Sequence, residues 1–161
     1  MKSLFNIYGR LLLGAVMTAL CALLCGCTRN NGDIGPWFGT WHLTSVEING
    51  EDETGYMGNI FWAFQNDVLQ LTCVPVGEEG NHEQIRRFGT WAEENGTLLV
   101  CFEYNDDTDP AGWEYRPFEE LHIPYKGVTS LAVIKKPGSE TVLRYTADDG
   151  AVYTYKLKKQ G

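Results

Sequence analysis

From Trp37 to the C-terminus, apolar and polar residues alternate in short runs separated by turn-forming residues, the pattern of strands with one buried and one wet face. The clearest run is the last. Ala151, Tyr153, Tyr155 and Leu157 fall on one face, and Val152, Thr154, Lys156 and Lys158 on the other. Leu143 and Tyr145 repeat the alternation one run earlier. Reading the chain in order predicts strands over residues 40–48, 59–65, 68–74, 84–92, 97–104, 129–136, 140–146 and 151–158. Asn49-Gly50, Asn66-Asp67, Asn95-Gly96, Pro137-Gly138 and Asp149-Gly150 supply the punctuation, and Asn-Gly accepts the positive φ of a tight hairpin. No stretch in this part sustains a 3.6-residue apolar period. Residues 113–122 fit a short helical turn or a ninth short strand equally well.

Eight short antiparallel strands leave two adhesive edges unless the sheet closes. The expected fold is therefore all-β, an eight-stranded antiparallel up-and-down barrel, with a two-sheet sandwich as its main rival. The tetrapeptide Phe38-Gly39-Thr40-Trp41 opens the first strand and returns as Phe88-Gly89-Thr90-Trp91. The flanking sequences diverge at once, His42-Leu43-Thr44 against Ala92-Glu93-Glu94, so the echo reads as a second strand opening and not as a duplicated half-domain.

Before the first strand the character changes. Lys2 and Arg10 precede an apolar run from Leu11 to Leu24, shorter than the roughly 20 residues that cross a bilayer core. That order is the one of a secretory signal. Leu24-Cys25-Gly26-Cys27 resembles the bacterial lipobox, which implies a lipid on Cys27 and removal of residues 1–26 as a lipoprotein signal peptide. Residues 27–36 then read as a lipidated flexible tether and 37–161 as the barrel domain. The implied address is the bacterial cell envelope, lipid-anchored at the outer membrane, with either face open.

Charge narrows the partners. Removal of Lys2 and Arg10 from the 13 basic residues leaves 11 against 21 acidic ones, a formal charge of −10. This argues against nucleic acid, whose binding depends on phosphate neutralisation by Lys and Arg. Cys73 and Cys101 sit inside apolar runs, where buried thiols are the ordinary fate, although an oxidising compartment would permit a pair.

Chemistry-bearing motifs are weak. His82-Glu83-Gln84-Ile85-Arg86 begins like a zinc-protease helix but has Arg86 where the second histidine must stand. His42 and His122 have no cysteine at ligand spacing, so no metal site is expected. Asn105, Asp107 and Asp109 space their oxygens like a calcium loop, yet Pro110 replaces the turn glycine and Arg116 the closing glutamate. Ser45, Ser130 and Ser139 lie outside any nucleophile elbow, and Glu93-Glu94 and Glu119-Glu120 are sequence neighbours that a strand would point to opposite faces. The expectation is a protein without catalytic residues or cofactor.

Gly39-Thr40-Trp41 at the first strand, about eight strands and the Tyr-rich final strand resemble the lipocalins. Gly89-Thr90-Trp91 followed by Asn95-Gly96-Thr97-Leu98-Leu99-Val100 is similar to the middle of the lipocalin-like lipoproteins of gut Bacteroidota. The resemblance covers roughly residues 37–159. It implies that Trp41 plugs the closed floor of the barrel. It also allows a small apolar ligand in a cavity lined by the aromatics Trp62, Phe64 and Tyr104, with Trp113 and Tyr115 on a flap above. The competing expectation is a protein-interaction or accessory envelope module, its barrel filled by its own side chains. Its acidic 103–120 loop, with Glu103, Asp106, Asp107, Asp109, Glu114, Glu119 and Glu120, would then face a partner that the sequence does not identify.

Overall fold

In the computed structural model the described residues are 35–76, 83–103 and 114–161. Among these residues, nine strands make one antiparallel sheet: β1 (Gly39–Ile48), β2 (Glu51–Asp52), β3 (Ile60–Gln65), β4 (Val68–Cys73), β5 (Ile85–Glu94), β6 (Thr97–Cys101), β7 (Val128–Lys135), β8 (Glu140–Thr146) and β9 (Val152–Lys159). Each long strand pairs with its neighbour in sequence, and β1 pairs with β9, so eight strands close into an up-and-down barrel. The sandwich is thereby ruled out. The eight expected strands appear within a few residues of their predicted limits. The two-residue β2, absent from the eight expected strands, pairs Asp52 with Glu47 beside the end of β1.

The two ends of the barrel differ. At one end the links are tight: Asn66-Asp67 joins β3 to β4 and Asn95-Gly96 joins β5 to β6, with Asn66 at φ 50° and Asn95 and Gly96 at φ 51° and 77°. These are the left-handed conformations that two-residue hairpins demand and that Asn and Gly tolerate. At the other end run the longer connections, residues 49–59, 74–84 and 102–127. We call these ends the floor and the mouth.

Alternation alone does not describe β1. Trp41 and Leu43 are buried, but so is Val46, because the register against β9 shifts between Leu43 and Ser45. Thr44 is the extra residue and donates its hydroxyl to the Lys156 carbonyl at 3.0 Å. The bulge moves the inward face from odd to even positions and bends the strand, which helps a small sheet close.

The two Gly-Thr-Trp segments serve different ends. Gly39 stands at the start of β1 with φ 110°, a conformation that side chains other than glycine's rarely adopt. Gly89 lies in the middle of β5, not at a strand opening as its sequence echo suggested. A Cβ there would stand 2.7 Å from the Cys101 carbonyl oxygen and 2.8 Å from the Phe102 ring. Glycine is required because Phe102, itself buried, occupies the space.

Within residues 113–122, of which 113 lies outside the described residues, the short helical turn is found and the short strand is not. Glu114 makes one parallel bridge to Arg87 of β5, and Glu119–Leu121 forms a single 3-10 turn ended by His122 at φ 52°.

Candidate functional site

The barrel interior is filled along its length by aromatic rings. At the floor, Trp41 is fully buried and donates its indole Nε1 to the Trp37 carbonyl at 2.7 Å, with the Lys159 ammonium over its ring at 5.2 Å. Trp37 in turn bonds Glu93 at 2.7 Å and packs on Phe64, their ring centres 5.3 Å apart. Phe64 meets Trp62 at 6.3 Å and Trp91 edge-on at 5.1 Å. Trp62 meets Tyr155 at 5.9 Å. The column ends at the mouth, where the Tyr155 hydroxyl donates to the Leu121 carbonyl at 2.6 Å. Tilted and edge-on ring contacts at these separations are favourable beyond their buried area.

Phe118, Leu121 and Ile123 belong to the same core, so the segment around the 3-10 turn is folded into the mouth. His122 stacks on Tyr153 at 5.0 Å, with its Nε2 3.8 Å from Glu53 of the 49–59 connection. Burial raises the Tyr155 phenol far above the ordinary tyrosine range, as expected where an ionised oxygen could find no water.

Beside this plug lies an open groove of about 950 Å³. Tyr115, Pro117, Phe118, Ile123 and Tyr125 give it an apolar lining, and Arg87, Glu114, Arg116, Glu119 and Glu120 give it charge. It exists because β6 stops at Cys101 while β5 runs on to Ile85 at the mouth, and residue 114 takes up part of the vacated edge. The Phe88 amide donates to the Glu114 carbonyl at 2.9 Å, and Phe88 packs on Tyr115 at 6.3 Å.

Of the five residues expected to line a cavity, Tyr115 lines the groove, while Trp62 and Phe64 are in the filled interior below it. Tyr104 and Trp113 lie outside the described residues. A deep cavity walled by Trp62 and Phe64 is replaced by packing, because Trp37, Trp91 and Tyr155 contact those rings directly. Arg87, Phe118 and Ile123 were missed by sequence reasoning. Arg87 carried a usable signal: it is four positions before Trp91, hence on the same strand face, and Trp91 packs inward.

Cys27, His82 and the Asn105–Asp109 loop lie outside the described residues. His42 stacks on Phe61 at 4.8 Å with its Nε2 2.7 Å from the Gly58 carbonyl oxygen. Among the described residues no group of three His, Cys, Asp or Glu could hold a metal ion, and no helix is long and apolar enough to cross a membrane. Cys73 and Cys101 are both free thiols. Cys73 packs against the core and Cys101 is opposite Thr90 and Val128 on the outer face, so the pair that an oxidising compartment would permit does not form.

The family model of the lipocalin-like domain matches residues 22–157. The chain belongs to the lipocalin-like family. A lipocalin-like protein from Bacteroides uniformis, known from its crystal structure, is 17% identical with a TM-score of 0.53, the match covering 78% of this chain and 100% of that one. An uncharacterized protein from Bacteroides eggerthii is also 17% identical, with a TM-score of 0.50 and coverage of 77% and 99%. Both likenesses are of fold. No curated protein sequence matches the chain. The lipocalin-like fold is typically one of ligand-binding, non-enzymatic proteins.

Proposed function

We propose that this lipocalin-like protein is a non-catalytic, lipid-anchored barrel of the bacterial envelope that binds a small apolar ligand at its mouth. The observation that carries the reading is the groove beside the plug. Its volume of about 950 Å³ is at the upper end of ordinary small-molecule sites, and the apolar half of its lining offers a surface for the body of a small ligand beside charged groups that can orient it. The filled interior shifts the site outward: a ligand lies along Phe118, Ile123 and Tyr125 instead of descending to Trp62. The order of charged start, apolar run and Leu24-Cys25-Gly26-Cys27 supports the anchor.

Binding is tested by titrating the purified protein with a panel of fatty acids, fatty alcohols, steroids and bile acids, read by tryptophan fluorescence and native mass spectrometry. A saturable adduct with one class supports the reading. An unmodified mass and flat fluorescence across the panel would sink it. Metabolic labelling with an alkyne fatty acid tests the anchor, and label that survives Cys27→Ser would refute it.

The aromatic column also favours a second reading, an accessory module with a filled barrel and a protein partner. Exposed Glu119 and Glu120 would then face that partner. Reversing both charges should abolish cross-linked envelope products under this reading, and products that persist would sink it.

A further inference from the structure

We propose that Arg87 is the head-group anchor of the mouth groove and that the ligand it selects is an amphipathic monocarboxylate. The inference rests on the groove being the ligand site, and it adds the chemical class of the ligand.

Arg87 points into the barrel. It pairs across the sheet with Leu71, which pairs with Trp62, which pairs with Trp41. Directly opposed residues share a face of the sheet, and the other three side chains of this row are all fully buried. The Arg87 side chain keeps only 13% of its exposure, and its guanidinium carbon lies 5.5 Å from the centre of the Phe118 ring. A buried guanidinium is costly unless paired and fully hydrogen-bonded. Here it is neither. Arg87 is in ion-pair contact with Glu114, yet its Nε and Nη1 are buried without an aligned hydrogen bond.

The remaining orphans have the same character. Among the described residues, the buried side-chain nitrogen and oxygen atoms without a hydrogen bond are these two and the indole Nε1 atoms of Trp62 and Trp91. All are donors, and all come from the inward face of β3 and β5. A wall with donors left over and no acceptors left over calls for acceptor oxygens.

Glu114 is a replaceable partner. It is half exposed and also binds Arg116, whose Nη2 and Nε are each 2.9 Å from the same carboxylate oxygen. A ligand carboxylate can therefore take Arg87 while Glu114 stays with Arg116. The planar fork of an arginine fits two carboxylate oxygens, and charge-assisted bonds of this kind are about twice as strong as neutral ones. The rim selects against heavier charge. Glu114, Glu119 and Glu120 outnumber Arg87 and Arg116 around the groove, so a phosphate dianion would meet repulsion that a monocarboxylate largely escapes. Tyr115, Pro117, Ile123 and Tyr125 are left for the apolar body.

The test is isothermal titration of the purified protein with dodecanoate against dodecanol, and with cholate against its methyl ester, at neutral pH. The two pairs separate a chain-like from a ring-bearing source of the carboxylate. At least one acid should bind about tenfold or more tightly than its neutral partner. Arg87→Met should abolish that preference, and Arg87→Lys should restore part of it. Glu114→Gln should tighten acid binding several-fold, a reading that stands even if Arg87 variants fail to fold. Equal binding of acid and neutral partner overturns the carboxylate assignment and leaves the apolar site standing. An acid preference that survives Arg87→Met, or acid binding unmoved by Glu114→Gln, overturns the role of Arg87. Binding of neither pair overturns the ligand site itself, and the anchor with it.

Discussion

Tyr155 donates a hydrogen bond of 2.6 Å to the carbonyl oxygen of Leu121, tying the last strand to the turn that fills the barrel's mouth. Both side chains are fully buried, so the bond is formed away from water. Tyr155→Phe keeps the ring and its contact with Trp62 but leaves the Leu121 carbonyl without its donor. A buried acceptor so orphaned costs about 1–3 kcal/mol. The variant should melt a few degrees lower by circular dichroism, and amide exchange in residues 118–123 should quicken more than in β9. Equal protection of the plug in both proteins would show that packing alone holds it.

The same phenol makes stability fall in alkali. Burial raises the Tyr155 pKa, and that of the less deeply buried Tyr56, above the usual value near 10. The folded state therefore holds its phenolic protons when the unfolded chain has begun to release them. Their stabilising contribution is complete below about pH 10 and shrinks as pH rises beyond it, by at most about 1.4 kcal/mol per pH unit for a fully buried group. The urea midpoint should drop steadily above pH 10. In Tyr155→Phe the drop should be shallower over the same range, although the variant starts lower. Parallel curves for the two proteins would contradict the assignment.

Much of this architecture is legible in the sequence because a small barrel writes its two faces into alternate residues. Leu143, Tyr155 and Leu157 are where the period places them, and the Asn66 and Asn95 turns are where the dipeptides place them. What alternation hides is where it breaks. The Thr44 bulge inverts the face of Val46, and nothing in Leu43-Thr44-Ser45 announces it. The mouth was harder still. Trp62 and Phe64 suit a cavity wall as well as a packed core, and only the placement of Tyr155, far away in the chain, decides between them. Leu121 likewise becomes a plug through a contact 34 residues distant.

Gly89 offers a sharper test of packing than any large core residue. Gly89→Ala adds one methyl where the Cys101 carbonyl and the Phe102 ring already stand, so β6 or Phe102 must move. Overpacking of this kind costs typically about 1–3 kcal/mol. Gly138→Ala meets open space and has no positive φ, so it should be neutral or slightly stabilising through the unfolded chain. Thermal melts of the two variants beside the parent check the contrast. A neutral Gly89→Ala would mean that Phe102 shifts without cost. Combining it with Phe102→Leu should recover part of the loss.

The two thiols should differ in reactivity. Cys73 packs against the core and accepts a contact from the Asn59 amide at 3.2 Å. Its desolvation, helped by the charge of Glu120, raises its pKa and lowers the fraction of reactive thiolate at neutral pH. Cys101 faces outward, its sulfur 3.9 Å from the Glu103 carbonyl oxygen. Iodoacetamide added without reductant should therefore label both, Cys101 first, and peptide mass spectrometry should show no bridge between them. The Cys73 rate should climb only as pH rises beyond the ordinary thiol range. Glu120→Gln should narrow the gap from the Cys73 side, since it removes a charge that opposes thiolate formation. A Cys73 that labels first in the folded protein would place it at an opening of the barrel wall and not against the core.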